Sequence, residues 1–293
     1  MRISSMFEEG RTVFSFEIFP PKRTASIETI YNTLDQLDGL HPDFISVTYG
    51  AGGNIDKHST LEIATIIKNR YVIEPLMHLT CLNSSKADID EIMVAAKSCG
   101  VENILALRGD KVPDVAPKDD FHYASDLAAY LYKQGDFDLS GACYPEGHMD
   151  SPDLGADIIH LRTKVEAGCS HLISQLFFDN EIFYSFLHRV RQAGIYVPIE
   201  AGIMPITNKK QIEKMVTLCG ASLPIKFTKM MQRYEDHPEA LMDAGIAYAI
   251  DQIVDLAAEG VDGIHLYTMN NPLVARRISD SVNSLLRVRK NIM

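Results

Sequence analysis

The chain has 293 residues, with 28 Lys plus Arg against 39 Asp plus Glu for a net charge of −11, and is 46% hydrophobic and 23% charged. These globular proportions exclude wholesale disorder, a collagen repeat and a disulfide-stapled miniprotein, and the length suffices for a large buried core. The acidic balance disfavours a nucleic-acid partner, no apolar run is long enough to span a membrane, and Met1–Arg11 lacks the apolar stretch of a secretory signal.

In chain order, strands are predicted at Val13–Phe19, Asp43–Tyr49, Glu74–Cys81, Asn103–Leu107, Leu139–Tyr144, His171–Phe177, Val197–Ile203 and Gly263–Thr268. Most read as continuous apolar runs, the pattern of parallel strands covered on both faces. Helical segments lie between them. Ser59 with Glu62 reads as a capping box ahead of Ile63, Ile66 and Ile67, and Ser85 with Asp88 opens the next helix, which stops at Gly100. Pro152 stands at the first position of a helix ended by Gly168. Thr207 caps a helix closing at Gly220, and a last helix runs from near Pro272 to about Arg287.

Strand ends at Glu17, Thr48, His78, Asp110, Tyr144 and Gln175 recur every 30–34 residues. A doubly wound sheet is the rival, but eight strands and a helix after the eighth favour an α/β fold of the (β/α)8 TIM barrel type. The expectation is one domain over residues 1–293, with an extra helical segment around 223–235. The five cysteines, at 81, 99, 143, 169 and 219, form no Cys-x-x-Cys; they fit reduced thiols in a cytoplasmic protein and offer no metal framework.

A barrel carries its active site at the C-terminal strand ends, and the residue types there are chemical. Glu17 lies among aromatic and aliphatic neighbours. A carboxylate is costly to bury unpaired, and such a setting makes a general acid; the alternative is a carboxylate tied to a nearby Lys or Arg. After the fourth strand, Arg108 offers a bidentate anion contact, Gly109 a sharp turn and Asp110 a second carboxylate, or else Arg108 and Asp110 form a surface pair. His78 is a catalyst or a hydrogen-bonded core residue. Tyr144 and His148 could meet a ligand with their rings, and Gln175 could read a heterocycle or make a rim hydrogen bond. Gly50 to Ile55 starts like a dinucleotide fingerprint but lacks its third glycine. No Walker A, Gly-x-Ser-x-Gly or His-Glu-x-x-His motif occurs.

Eight motifs in order carry a resemblance: FEIFPPK from Phe16, SVTYGAGG from Ser46, HLTC from His78, LRGD from Leu107, YASD from Tyr123, YPE from Tyr144, QLFFD from Gln175 and YTMN from Tyr267. Over nearly its whole length the chain resembles the 5,10-methylenetetrahydrofolate reductases. The resemblance implies a (β/α)8 barrel with bound FAD, NADH or NADPH as co-substrate, a folate substrate and 5-methyltetrahydrofolate as product. It also implies a cytoplasmic homo-oligomer of the bacterial type, without the eukaryotic regulatory domain. It assigns Glu17 as the acid and Asp110 as the charge near flavin and pterin. Gln175 and Gln211 fall to the folate. Thr48, Tyr49, His78, Arg108, Gly109, Asp110, Tyr123, Ala124, Tyr144, His148, Asp157, His160 and Lys164 fall to the FAD, with Thr48 also near the nicotinamide. Two departures concern the folate side. Asn271 stands where the family often has Arg, so Lys209 or Lys210 is the candidate for the glutamate tail. Met215 replaces a usual aromatic. A pterin methyltransferase without flavin and a non-catalytic folate- or flavin-binding homologue are the rival readings.

Overall fold

The computed structural model describes residues 1–21, 26–49, 57–111 and 116–289. Eight parallel strands close into a barrel in sequence order. They are β1 (Val13–Ile18), β2 (Phe44–Val47), β3 (Glu74–Thr80), β4 (Asn103–Leu107), β5 (Asp138–Cys143), β6 (Cys169–Ser174), β7 (Ile199–Ile203) and β8 (Gly263–Tyr267). The barrel closes where β1 pairs on one side with β2, Glu17 opposite Ser46, and on the other with β8, Ser15 opposite His265.

The outer helices are α1 (Glu28–Leu37), α2 (Lys57–Arg70), α3 (Lys86–Ser98), α4 (Ala124–Gln134), α5 (Leu154–Glu166), α6 (Asn180–Gln192), α7 (Lys209–Cys219), α8 (Ile225–Tyr234), α9 (Pro238–Ala258) and α10 (Pro272–Leu286). Ser85 caps α3 with the reciprocal Asp88 bond, as the sequence predicts. Other helix starts differ. α2 already runs at Lys57, so Ser59 lies within it. Asp153, not Ser151–Pro152, caps α5 by accepting from the Ala156 N–H at 2.8 Å. Asn208, one residue after Thr207, caps α7 through the Gln211 N–H at 2.9 Å. For α5 and α7 the side chain that accepts a first-turn N–H sets the boundary.

Outward strand residues such as Phe14, Phe16, Ile18, Ile264 and Leu266 pack with the helices in one large core. Each fully buried side chain of this kind contributes roughly 1.5–3 kcal/mol. Inside the barrel the register alternates. On β1, Phe14, Phe16 and Ile18 face the helices while Ser15 and Glu17 join interior contacts; on β8, His265 and Tyr267 do the same between Ile264 and Leu266. β1 and β8 are covered on both faces, as parallel strands of a barrel should be, and their period of two marks a polar interior.

A 3-10 helix, Ile3–Glu9, plugs the N-terminal end. Its Ile3 and Met6 pack with Val13, Phe44, Leu76, Leu105 and Ile173. Its Ile3 N–H donates to Asn103 Oδ1 at 2.9 Å and its Ser4 N–H to Asp138 Oδ2 at 2.7 Å. A second cluster supports the far rim, where Phe227 and Met231 of α8 pack with Leu176, Phe178, Met204 and Ile206. Gly245 of α9 lets that helix press on the chain after β7, since a Cβ there would sit 1.7 Å from the Ile206 carbonyl oxygen. Among the described residues no helix is long and apolar enough to cross a membrane.

Candidate active site

Glu17, near the end of β1, is 7% exposed and faces the barrel axis. Its Oε2 lies 3.6 Å from His78 Nε2 on β3, 3.6 Å from His265 Nε2 on β8 and 3.5 Å from Ser46 Oγ on β2. Ser46 also meets His78 Nε2 at 3.2 Å. Burial pushes the His78 imidazolium down to about 4, so at neutral pH His78 is uncharged. The carboxyl group thus faces two imidazoles and a hydroxyl rather than a Lys or Arg. Among the described residues no Lys or Arg pairs with Glu17.

The rim around Glu17 comes from other strand ends. Thr48 is buried, and its Oγ1 has no hydrogen-bond partner among the described residues. Tyr49 follows it, half-buried. Tyr267 donates its hydroxyl to the Ser174 carbonyl at 2.8 Å, and burial holds its phenol well above the usual range. Gly202 makes room for that ring, because a Cβ there would lie 2.3 Å from the Ser174 carbonyl oxygen and 2.9 Å from the Tyr267 ring.

Past β4, Arg108 pairs with Asp150 at 2.8 Å, not with Asp110. Asp110 is exposed and makes no hydrogen bond or ion pair among the described residues. Gly109 takes φ +84° with Thr80 against it, a conformation that favours glycine. Tyr144 stands edge-on to His148, ring centroids 4.7 Å apart, and beneath the Lys164 ammonium at 5.4 Å. Burial lowers the pKa of Lys164, with Asp157 opposing, and its Nζ donates to the Ala142 carbonyl at 2.8 Å. Asp157 is buried and accepts from Ser151 Oγ at 2.9 Å. Arg108, His148, Tyr144, Asp157 and Lys164 therefore form one connected strip. Tyr123 is exposed at the start of α4, Ala124 is buried behind it, and His160 is exposed on α5.

The remaining candidates lie on the opposite side. Gln211 and Asn271 line a cavity of about 430 Å³ with Thr207, Asn208, Lys210, Met215, Thr268 and Met269. Both also serve local structure. Gln211 Oε1 accepts from Thr207 Oγ1 at 3.1 Å, and Asn271 caps α10 through the Val274 N–H at 3.3 Å. Gln175 folds its side chain onto the Leu176 N–H at 2.9 Å. Glu17, Asp110 and Gln175 do not line this cavity. The Gly50–Ile55 segment, Lys22 and the Lys209 side chain lie outside the described residues.

Sequence reasoning missed Ser46 and His265 beside Glu17, and the buried Ser15 and Glu200 beneath them. The available signal was the polar alternation of Ser15 with Glu17 and of His265 with Tyr267.

Comparison with known proteins converges on one family. The model of the family "Methylenetetrahydrofolate reductase" matches residues 2–283. The chain is 39% identical over 262 residues to 5,10-methylenetetrahydrofolate reductase of Pectobacterium carotovorum subsp. carotovorum, covering 89% of this chain and 87% of that protein. It is 37% identical over 284 residues to methylenetetrahydrofolate reductase (NADH) 1 of Arabidopsis thaliana, covering 92% of this chain but 48% of that longer protein. Among solved structures, an uncharacterized protein from Clostridium thermocellum that binds two copies of 5-methyl-5,6,7,8-tetrahydrofolic acid shares the fold, with a TM-score of 0.68 at 16% identity over 96% of this chain and 99% of that one. The chain belongs to the methylenetetrahydrofolate reductase family.

Proposed function

We propose that this chain reduces 5,10-methylenetetrahydrofolate to 5-methyltetrahydrofolate as a flavoenzyme, with FAD bound and NADH or NADPH as the hydride source, in a ping-pong cycle through one mouth. Family membership supports the reaction. The observation that carries the mechanism is Glu17, a buried carboxyl group at the mouth with two imidazoles and a hydroxyl around it and, among the described residues, no Lys or Arg paired with it.

The residues present fit a flavin dinucleotide. The buried Thr48 hydroxyl lacks a hydrogen-bond partner among the described residues, and Arg108, paired here with the exposed Asp150, has a guanidinium that a diphosphate could take over. FAD, when bound, supplies the two-electron carrier that no side chain provides. Thr48, Tyr49, His78, Arg108, Gly109, Tyr123, Ala124, Tyr144, His148, Asp157, His160 and Lys164 would hold it.

The chain's own residues handle the proton and the charge. Glu17 gives its proton to the folate as the one-carbon bridge opens, then regains one from solvent, so each turnover consumes one proton with one reduced nicotinamide. Asp110, exposed and unpaired among the described residues, favours the cationic form of the opened substrate. Gln175, Gln211 and Asn271 orient the folate, and Lys210 lies on its acidic side. The assembly is proposed to be a cytoplasmic homo-oligomer.

The test is spectroscopic. The purified protein should show an oxidised-flavin spectrum that bleaches with NADH or NADPH without oxygen and returns on adding methylenetetrahydrofolate. A flavin bleached by neither nicotinamide, yet reoxidised by the folate after chemical reduction, would point to another electron donor. A colourless protein that FAD cannot reconstitute would overturn the flavoenzyme reading.

A further inference from the structure

Beneath Glu17 lies a second acid that the reaction does not use. Glu200, on β7, is 0% exposed. Its Oε1 is 2.8 Å from Ser15 Oγ, and its Oε2 has no hydrogen-bond partner among the described residues. Among the described residues no Lys, Arg or His nitrogen comes within ion-pair distance. Burial holds its carboxyl well above the usual range, with the Ser15 contact opposing and Asp43 and Asp262 adding to the rise. A carboxyl group so placed stays protonated at neutral pH.

That proton decides the hydrogen-bond order above it. Ser15 Oγ also lies 2.7 Å from His265 Nδ1. The opposite ring nitrogen, His265 Nε2, has no hydrogen-bond partner and stands 3.6 Å from Glu17 Oε2. Ser15 has one hydrogen to give. If it went to Glu200, the acid's own proton would be left on the unpartnered Oε2, and His265 would aim a lone pair at Glu17. If Glu200 donates to Ser15 and Ser15 donates to Nδ1, the acid's proton has an acceptor, and the one N–H left without a hydrogen bond, at His265 Nε2, faces the Glu17 carboxyl group at 3.6 Å.

We infer that Glu200 is a positioning residue, a neutral hydrogen donor that acts through Ser15 to hold His265 as the Nε2–H tautomer facing Glu17. The ring then supports the negative charge left on Glu17 once its proton has gone to the substrate. Glu200 keeps its proton throughout, because transfer upward would leave an unpaired anion at a fully buried site. The orientation of His265 is needed only after Glu17 has given up its proton, so the effect falls on the folate half-reaction. This inference rests on the proposed role of Glu17, but its first readout does not.

The test is nitrogen NMR of the histidine rings in the flavin-loaded protein without folate, with His265 assigned by its loss in His265→Asn. The wild type should show His265 protonated on Nε2. Ser15→Ala and Glu200→Leu should give a mixture or the Nδ1–H form. Glu200→Gln, which keeps an N–H for Ser15, should restore the Nε2–H form. In rapid kinetics, Ser15→Ala should slow flavin reoxidation by methylenetetrahydrofolate about tenfold and leave reduction by nicotinamide unchanged. Glu200→Gln should rescue what Glu200→Leu loses.

An Nδ1–H tautomer in the wild type, or a tautomer unmoved by Ser15→Ala, would overturn the inference. So would a Glu200→Gln variant as slow as Glu200→Leu, since Glu200 would then be acting as an ionised group. Should the reductase reading itself fail, the folate step would be absent in every variant while the tautomer result stood.

Discussion

On the β1, β2, β3 and β8 side of the mouth, the polar groups ride on strands and interlock. Glu17, Ser46, His78 and His265 are all buried and lie within 3.6 Å of a neighbour in the set. Next to it, past the ends of β7 and β8, Lys210, Gln211 and Asn271 come from helix starts around an open cavity of about 430 Å³. Strand residues have their positions set by the register of a closed sheet, so small errors of place are not tolerated. Residues at helix starts depend on caps and loops, which can vary without disturbing the barrel. The first side suits a chemical step and the second suits a substrate tail of variable length.

The largest expected effect tests the strand side. Glu17→Gln should slow the folate half-reaction by about 10²- to 10⁴-fold, with FAD binding and reduction by nicotinamide intact. Stopped-flow absorbance separates the two halves, and an unimpaired folate step would remove Glu17 as the acid.

Acid stability comes next. Burial puts the pKa of both His78 and His171 at about 4, against 6.5 for a free imidazole. The unfolded chain takes up these protons first, so stability is full above pH 6.5 and is lost as pH falls towards 4. The loss is on the order of 3 kcal/mol for each ring. Glu200, held protonated, gives the opposite slope above its ordinary value of 4.5. Denaturant titrations from pH 7.5 to 4.5 should therefore be read as the difference between wild type and His171→Leu, which should show the shallower acid loss. Equal slopes would mean that His171 charges normally within the fold.

Gly245→Ala probes the support of the cavity side. The added methyl meets the Ile206 carbonyl, and displacing α9 should cost about 1–3 kcal/mol. Thermal unfolding measures the loss, and the KM for folate should rise while reduction by nicotinamide stays near normal. A fall in the nicotinamide step as large as in the folate step would show that the two sides are not independent.

The smallest effect is Lys210→Gln. If Lys210 meets a tail carboxylate in solvent, KM for the folate should rise by up to about fivefold with kcat unchanged. A change in kcat instead would tie the cavity side to the chemistry.

The same contrast explains what was legible in the sequence. The barrel could be read from the 30–34-residue recurrence of strand ends, and Asn103–Leu107 matches β4 end to end. Glu17 stood out because a carboxylate in an aromatic run is expensive. Its partners did not, because Ser15 lies 185 residues from Glu200 and 250 from His265, and only closure of the sheet brings them together. Asn208 and Thr207 are both good caps, so sequence alone does not choose between them. Gln211 and Asn271 have polar side chains that suit a ligand equally well as a neighbouring N–H. Their local bonds appear only once the helix ends are fixed.

The closure of β1 onto β8 has a consequence for assembly. Every strand has a neighbour on both sides, so the sheet presents no free edge to another chain. Copies of this protein that associate must meet through helix faces or loops, and such contacts leave the strand register around Glu17 untouched.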